Sequence, residues 1–368
     1  MALTVFWEAR LAKRAAGTAT ILGAIHGAIE LPDVLVKSYS EDLKDRDGAF
    51  FGERVSNGAF RVMLDAIRQK LDDAGGDPID KPLEELRKKD IDKILLDGTP
   101  EQAGVILSAV EGFAQNLANA AKSLLKLRSW SGVQKIVIGG GFRDRRVGEL
   151  VVGRAGVLLK EDFPDVEIVP IQSRPDEAGL IGCAYLAPSW HFEGHDSILA
   201  VDIGGSNFRC GVLDLEWDDN GGLKDVSVAK FWLWRHAEEE PARDEATDRL
   251  CKMLQEAHDY ATRKARKLAP FIGIGCPGTI LADGKLSGGI LNLPGNWGAK
   301  NFNLVQRVVS LIPRINNHQT VAILHNDAVV QGLSELPRMR SLDKWAVMTI
   351  GTGLGNACFQ NKGDTPED

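Results

Sequence analysis

The chain has 368 residues, 44% hydrophobic and 26% charged, with a formal net charge of −7. That length allows two domains with substantial cores, in an ordinary globular composition. The acidic balance argues against a general nucleic-acid binder, which carries a basic stripe, and no apolar run reaches membrane-spanning length.

The first fifty residues carry the weakest pattern. Val5 to Ala16 reads as a short helix, Thr18 to Ile29 as an apolar segment containing His26, and Ser38 to Asp47 as a polar loop. Glu8, Arg10, Lys13 and Arg14 interrupt any signal-peptide pattern, so a cytoplasmic protein is expected. Phe60, Met63, Leu64, Ile67 and Leu71 then recur at three- and four-residue steps, which predicts a helix stopped by Gly75-Gly76. A charged helix is expected from Pro82 to about Leu95. Thr99-Pro100-Glu101-Gln102 has the order of a helix start: a cap, a proline and a glutamine three on. The helix it opens, to about Leu127, is apolar on much of its circumference and should be buried.

Lys135 to Ile138 predicts a strand, Gly139-Gly140-Gly141 a tight turn, Val147 to Leu159 a helix and Val166 to Val169 another strand. Asp176 to Leu186 is a helix of small residues that suits close packing. Ala187 to Ser197 reads as a connection, with Glu193 and His195 inside it. Next comes Leu199 to Asp214, LAVDIGGSNFRCGVLD: an apolar run to Asp202, a Gly204-Gly205-Ser206-Asn207 turn, and an apolar return. This is a β-hairpin whose glycine tip lets backbone N–H groups approach a phosphate, with Ser206 and Asn207 adding donors. Asp202, just before the turn, is placed for a Mg²⁺-associated carboxylate; read by itself it is equally a turn acceptor.

A long charged helix follows from about Ala242 to Leu268. A strand leads into Gly275-Cys276-Pro277-Gly278, and a turn-rich stretch runs from Leu291 to Trp297. Val321 to Leu324 is a strand ending in His325-Asn326-Asp327, and Ala328 to Leu336 continues as a helix. Trp345 to Gln360 repeats the first hairpin's design around a Gly351-Thr352-Gly353 turn. Strands alternating with helices indicate an α/β protein. Cys183, Cys210, Cys251, Cys276 and Cys358 are widely spaced without a CxxC pair, which favours buried free thiols over disulfides or zinc. There is no short-period repeat.

Together these stretches resemble the sugar kinase, hsp70 and actin superfamily, and most of all its ROK and bacterial glucokinase branch. The residues carrying the likeness are the two glycine hairpins, Pro277-Gly278, the NLPGNW run from Asn292, Asn326-Asp327-Ala328, the GGG turn and the DEAGLIGCAYL helix. In the family the block containing the GGG turn comes last; here Glu53 to Pro188 precedes Ser197 to Gln360. The resemblance therefore implies a circularly permuted, two-lobed actin-like ATPase of ribonuclease H-like plan, with a cleft between the lobes. A linker of ten residues spans about 33 Å when extended, ample for joining neighbouring elements. The smaller lobe is expected at 173–340 and the larger at 1–172 plus 341–368.

The resemblance also implies roles. Asp327 would take the proton of a sugar hydroxyl as it attacks the γ-phosphate of ATP; read by itself it is as well a helix cap. Asn326, Gly278, Asn292 and Glu53 fall on sugar-pocket positions, although Asn292 also reads as a turn residue and Glu53 as a solvated helix start. The two hairpin turns would hold the phosphates, Gly139-Gly140-Gly141 would admit the adenosine, and Asp202 would face Mg²⁺. Two family features are missing: the GExGH motif, of which His26 would be the remnant and a sugar ligand, although a lone histidine in an apolar segment reads equally as structural, and the cysteine-rich zinc cluster, so no zinc is expected. The implied activity is ATP-dependent phosphorylation of a hexose or N-acetylhexosamine, most simply at O6, with a small-molecule sugar as partner. Neither nucleic acid nor membrane is an expected partner, and a homodimer is allowed. The alternative is a non-catalytic sugar-binding regulator or scaffold.

Overall fold

The computed structural model describes residues 25–142, 145–219, 221–290 and 292–363. The helix expected at Val5 to Ala16 and most of the segment from Thr18 lie outside the described residues. In chain order come β1 (Val34–Tyr39), α1 (Asn57–Asp73), α2 (Lys88–Asp97), α3 (Pro100–Leu125), β2 (Lys135–Gly139), α4 (Arg146–Leu159), β3 (Glu167–Pro170) and α5 (Ala178–Gly182). After them come β4 (Ser197–Ile203), β5 (Phe208–Trp217), β6 (Leu223–Trp234), α6 (Arg243–Arg263), β7 (Leu268–Cys276) and α7 (Leu304–Leu311). The last are β8 (Val321–Asn326), α8 (Asp327–Leu333), β9 (Lys344–Ile350) and β10 (Leu354–Asn361). No helix among the described residues is long and apolar enough to cross a membrane.

Local chemistry accounts for many of these boundaries. At α3, Thr99 Oγ1 accepts from the Gln102 N–H at 3.3 Å and Gln102 Oε1 accepts from the Thr99 N–H at 3.0 Å, the reciprocal cap its sequence calls for. α1 begins on Ser56, whose hydroxyl accepts from the Ala59 N–H, and passes at its end into Gly75 at φ +80. Four expectations need correction. The helix expected from Pro82 is a 3₁₀ turn at Leu83–Glu85 followed by α2, because the Arg61 guanidinium takes the Leu83 and Leu86 carbonyls. The loop expected from Ser38 begins later, since β1 runs to Tyr39 as an antiparallel partner of β10. α6 stops at Arg263 rather than Leu268, because Ala265 adopts a left-handed φ of 53 and turns the chain into β7. The small-residue helix is α only through Gly182 and tightens to 3₁₀ from Cys183 to Leu186.

The chain divides into two compact units, one of residues 183–326 with the described residues 25–32, the other of 33–182 with 327–363. The boundaries thus fall some way from those expected at 172/173 and 340/341. Close packing explains the first of them. Gly182 has no room for a Cβ, which would sit 1.6 Å from the Val330 carbonyl oxygen, whereas Cys183, the next residue, lies against Gly273 of β7. The chain changes core between two consecutive residues.

Each unit is built on a five-stranded mixed sheet, in the order β8-β7-β4-β5-β6 in one and β1-β10-β9-β2-β3 in the other. In the first, β4, β7 and β8 are parallel while β5 and β6 continue antiparallel from β4. In the second, β9, β2 and β3 are parallel while β10 and β1 continue antiparallel from β9. Counted outward from β4 and from β9 the two plans coincide. They differ in chain order alone, because β1, β2 and β3 precede β9 and β10. β4 and β9 are buried along their whole length, as central strands covered on both faces must be. Buried aromatic rings knit each core: Phe60, Phe113 and Phe142 form a cluster in one unit, and Phe208, Trp234 and Trp297 in the other.

Candidate functional site

In the unit containing β4, the chemistry-bearing residues collect at one edge of the sheet. Parallel strands β4, β7 and β8 bring their carboxyl ends into register, Asp202 beside Gly275 and Asn326 beside Cys276. In α/β sheets that edge is where loops are free to bind ligands. Ile203 pairs with Phe208, so Gly204 to Asn207 form the hairpin tip, closed by the Gly204 N–H on the Asn207 carbonyl at 2.8 Å. His236 braces this tip from a separate turn. Its Nε2 lies 2.9 Å from the Gly204 carbonyl, and the Ala237 N–H reaches the Ser206 carbonyl. Burial lowers the His236 pKa, against the opposing pull of that carbonyl, so the neutral ring serves as donor. No sequence signal connects His236 with residue 204. Asp202 sits opposite Arg209 in the hairpin, and Arg209 Nη1 donates to Asp202 Oδ2 at 3.0 Å.

The expected sugar end lies along the same edge. Gly278 takes φ +98, and a Cβ there would meet the Gly288 carbonyl oxygen at 2.5 Å. Asn326, buried, donates from Nδ2 to the Gly278 carbonyl at 3.0 Å and so fixes this loop to the end of β8. Trp297 anchors the NLPGNW run by packing on Phe208 and donating to the Pro294 carbonyl, which leaves Asn292 exposed. His26 lies beside β8: its Nδ1 accepts from the Leu324 N–H at 3.3 Å, the Gly27 N–H reaches the Leu324 carbonyl, and burial lowers its pKa. It is therefore a neutral ring whose one nitrogen already has backbone work.

His325 adds a pH dependence. It is fully buried, with Nε2 on the Ala28 carbonyl and Nδ1 accepting from the Asn326 N–H. Burial lowers its pKa from 6.5 to about 4, the Ala28 carbonyl opposing. The unfolded chain thus binds a proton that the folded chain refuses, and stability falls as pH drops from 6.5 toward 4. We expect urea unfolding to lose about 2 kcal/mol between pH 7 and pH 5 from this group. His325→Gln should flatten that difference; an unchanged pH slope would contradict it.

In the other unit, the GGG and GTG turns stand at the carboxyl ends of adjacent parallel strands, with Gly139 of β2 beside Thr349 of β9. The GTG tip closes with the Gly351 N–H on the Gly353 carbonyl, and Thr352 is exposed at its crest. Gly140 has φ +86, and a Cβ there would lie 2.3 Å from the Ile350 carbonyl oxygen, so the two turns touch backbone to backbone. We expect Gly140→Ala to cost about 2 kcal/mol of stability. Urea unfolding would detect the loss, and an alanine variant of unchanged stability would refute the close approach.

Asn57 and Lys88 join the same constellation without having been expected. The Asn57 N–H donates to the Gly351 carbonyl, while Lys88 Nζ donates to both Asn57 Oδ1 and the Gly141 carbonyl, each at 2.9 Å. A cavity of about 70 Å³ opens beside them, with Phe60, Ile91, Phe142 and Val147 as apolar walls and Arg61 and Lys88 at its polar side. Asp327 begins α8, and its Oδ1 accepts from the Ala328 N–H at 2.9 Å. α8 passes close to the second hairpin, where a Cβ on Gly355 would be 3.1 Å from the Ala328 Cβ. Glu53 is exposed on a short helix at Phe51–Arg54, whose Gly52 approaches the Leu354 N–H. One sheet edge in each unit therefore gathers the expected residues: Asp202, Gly204 to Asn207, Gly278, Asn326 and His26 in one, and Gly139 to Gly141, Gly351 to Gly353 and Asp327 in the other.

Among the described residues no group of three or more His, Cys, Asp or Glu side chains could hold a metal ion. The lone buried carboxylate at the first turn fits a Mg²⁺ that takes its remaining ligands from nucleotide phosphates and water, which is how that ion is commonly held.

Residues 198–363 match the model of the ROK family. Among solved structures, the chain is similar to a ROK family glucokinase from Streptomyces griseus in complex with glucose and AMPPNP. That match has 19% identity and a TM-score of 0.31, covering 45% of this chain and 46% of that one. A ROK hexokinase from Thermus thermophilus matches at 20% identity and TM-score 0.28, over 44% of this chain and 45% of its own. An exopolyphosphatase from Cytophaga hutchinsonii matches at 14% identity and TM-score 0.20, over 47% and 51%. The chain thus spans about half the length of these proteins. No curated protein sequence matches it.

Proposed function

We propose, from the match of residues 198–363 to the ROK family model, that the protein phosphorylates a sugar with ATP. The observation that carries this reading is the Asn326-Asp327 pair at the end of β8, with Asn326 clamped to the Gly278 carbonyl. A carboxylate at such a strand end can accept a proton from an alcohol while that oxygen attacks phosphorus, and Asp327 has this role. Asn326 and the Gly278 loop orient the acceptor, a hexose or N-acetylhexosamine, and the attacking hydroxyl is most simply O6. The glycine turns at 204–207 and 351–353 offer backbone N–H groups to the phosphates, and the turn at 139–141 with its neighbouring cavity takes the adenosine. When bound, Mg²⁺ supplies charge neutralisation on the phosphates, and Asp202 is the residue that would face it.

The shared strand plan of the two sheets supports the permuted reading of the chain: starting the second unit at β9 makes its order match the first. A second reading, sugar binding without turnover, draws support from His26, whose Nδ1 is engaged by backbone, and from Gly23, which stands three positions before His26 where the family motif has glutamate. An ADP-release assay over glucose, N-acetylglucosamine, N-acetylmannosamine, mannose and fructose separates the two. Turnover with one of them that disappears in Asp327→Asn supports the kinase. Sugar affinity by calorimetry with no ADP released under any condition would replace it with the second reading.

A further inference from the structure

We propose that Arg209 controls access of a divalent cation to Asp202, so that the metal enters with the nucleotide's phosphates instead of residing on the protein. This rests on the reading of Asp202 as the metal-facing carboxylate. The two residues occupy directly opposite positions of β4 and β5, and their side chains are only 6% and 12% exposed. Arg209 Nη1 lies 3.0 Å from Asp202 Oδ2, a charge-assisted hydrogen bond shielded from water. The guanidinium also stands at the phosphate turn, since a Cβ on Gly204 would be 4.0 Å from Nη1.

The consequence follows from competition. A free dication approaching Asp202 meets a carboxylate whose charge is already balanced by a tethered cation, in surroundings where that balance is strong. A guanidinium has five donors in a planar fork, so an arriving phosphate gives it a further acceptor while bringing the metal most of its ligands. Nucleotide and metal together can therefore occupy what the metal alone cannot. Arg209 is a positioning residue in this scheme, acting through Asp202. The hairpin register made the pairing legible, because residues opposite across a tight turn face the same side.

The test is Mn²⁺ binding to nucleotide-free protein, followed by the electron paramagnetic resonance signal of the free ion, with no sugar and no turnover. Arg209→Met should bind Mn²⁺ about tenfold or more tightly than the wild type, because the competing charge is gone. Arg209→Lys, which keeps the charge, should stay near the wild type, a rescue that a packing role alone would not give. The double variant Arg209→Met with Asp202→Asn should return to weak binding. Should Arg209→Met fail to fold, Arg209→Gln carries the same expectation. Equal Mn²⁺ affinity in wild type and charge-removed variant, or tight binding that survives Asp202→Asn, would overturn the proposal. Absence of sugar phosphorylation in the wild type would instead count against the kinase reading, and is seen in a different assay.

Discussion

Asp327→Ala should lower kcat for sugar phosphorylation by about 10³-fold while leaving sugar affinity within a few-fold, the signature of a lost general base. The effect has to be separated from the residue's other job, since Asp327 Oδ1 accepts the Ala328 N–H at the start of α8. Loss of such a contact costs about 1 kcal/mol of stability and would by itself change activity little. Asp327→Asn makes the distinction, because the amide oxygen can still accept that N–H but cannot take a proton. We expect it to melt like the wild type and to be as inactive as the alanine variant. An asparagine variant retaining more than about a tenth of wild-type kcat would mean that Asp327 only caps a helix, since base catalysis contributes at least 10²-fold.

The second large effect is on stability. Gly182→Ala should destabilise the protein by about 3 kcal/mol, because a Cβ would lie 1.6 Å from the Val330 carbonyl oxygen and 2.7 Å from its carbon. Both obstacles are backbone, so α5 and α8 must separate to admit the methyl group. α8 also carries Asp327, the proposed base, so a folded Gly182→Ala variant should lose any sugar-phosphorylating turnover along with stability. Gly153→Ala is the control. Gly153 lies in α4 with no atom within 4 Å of its would-be Cβ, and there alanine should be neutral or stabilising by about 0.5–1 kcal/mol. Urea unfolding of the two variants reads the contrast directly. Equal stabilities would show that the α5–α8 approach is looser than its geometry states.

The motifs most legible in the sequence were those written in backbone chemistry. Both hairpins, the GGG turn and the Thr99 cap are short-range devices in which glycine, threonine or proline decides the local path, and they fold as read. The helix expected from Pro82 failed because Arg61, twenty-odd positions earlier, takes its carbonyls. β1 was missed because its strand partner among the described residues, β10, lies more than three hundred residues later. Among site residues, Arg209 was reachable from hairpin register. His236, Asn57 and Lys88 were not, since each acts on a turn distant in sequence through a hydrogen bond that no local pattern encodes.

The amino-acid sequence alone determined which residues could carry chemistry and the order in which the motifs occur. Glycine turns, capped helices and an aspartate after a strand are consequences of local sterics and need nothing else. Tertiary structure decided which of these devices share a sheet edge, which carbonyls brace them, and where one core gives way to the next between Gly182 and Cys183. Those outcomes depend on contacts between residues far apart in the chain, whose closure entropy is met only by the packing of a completed core.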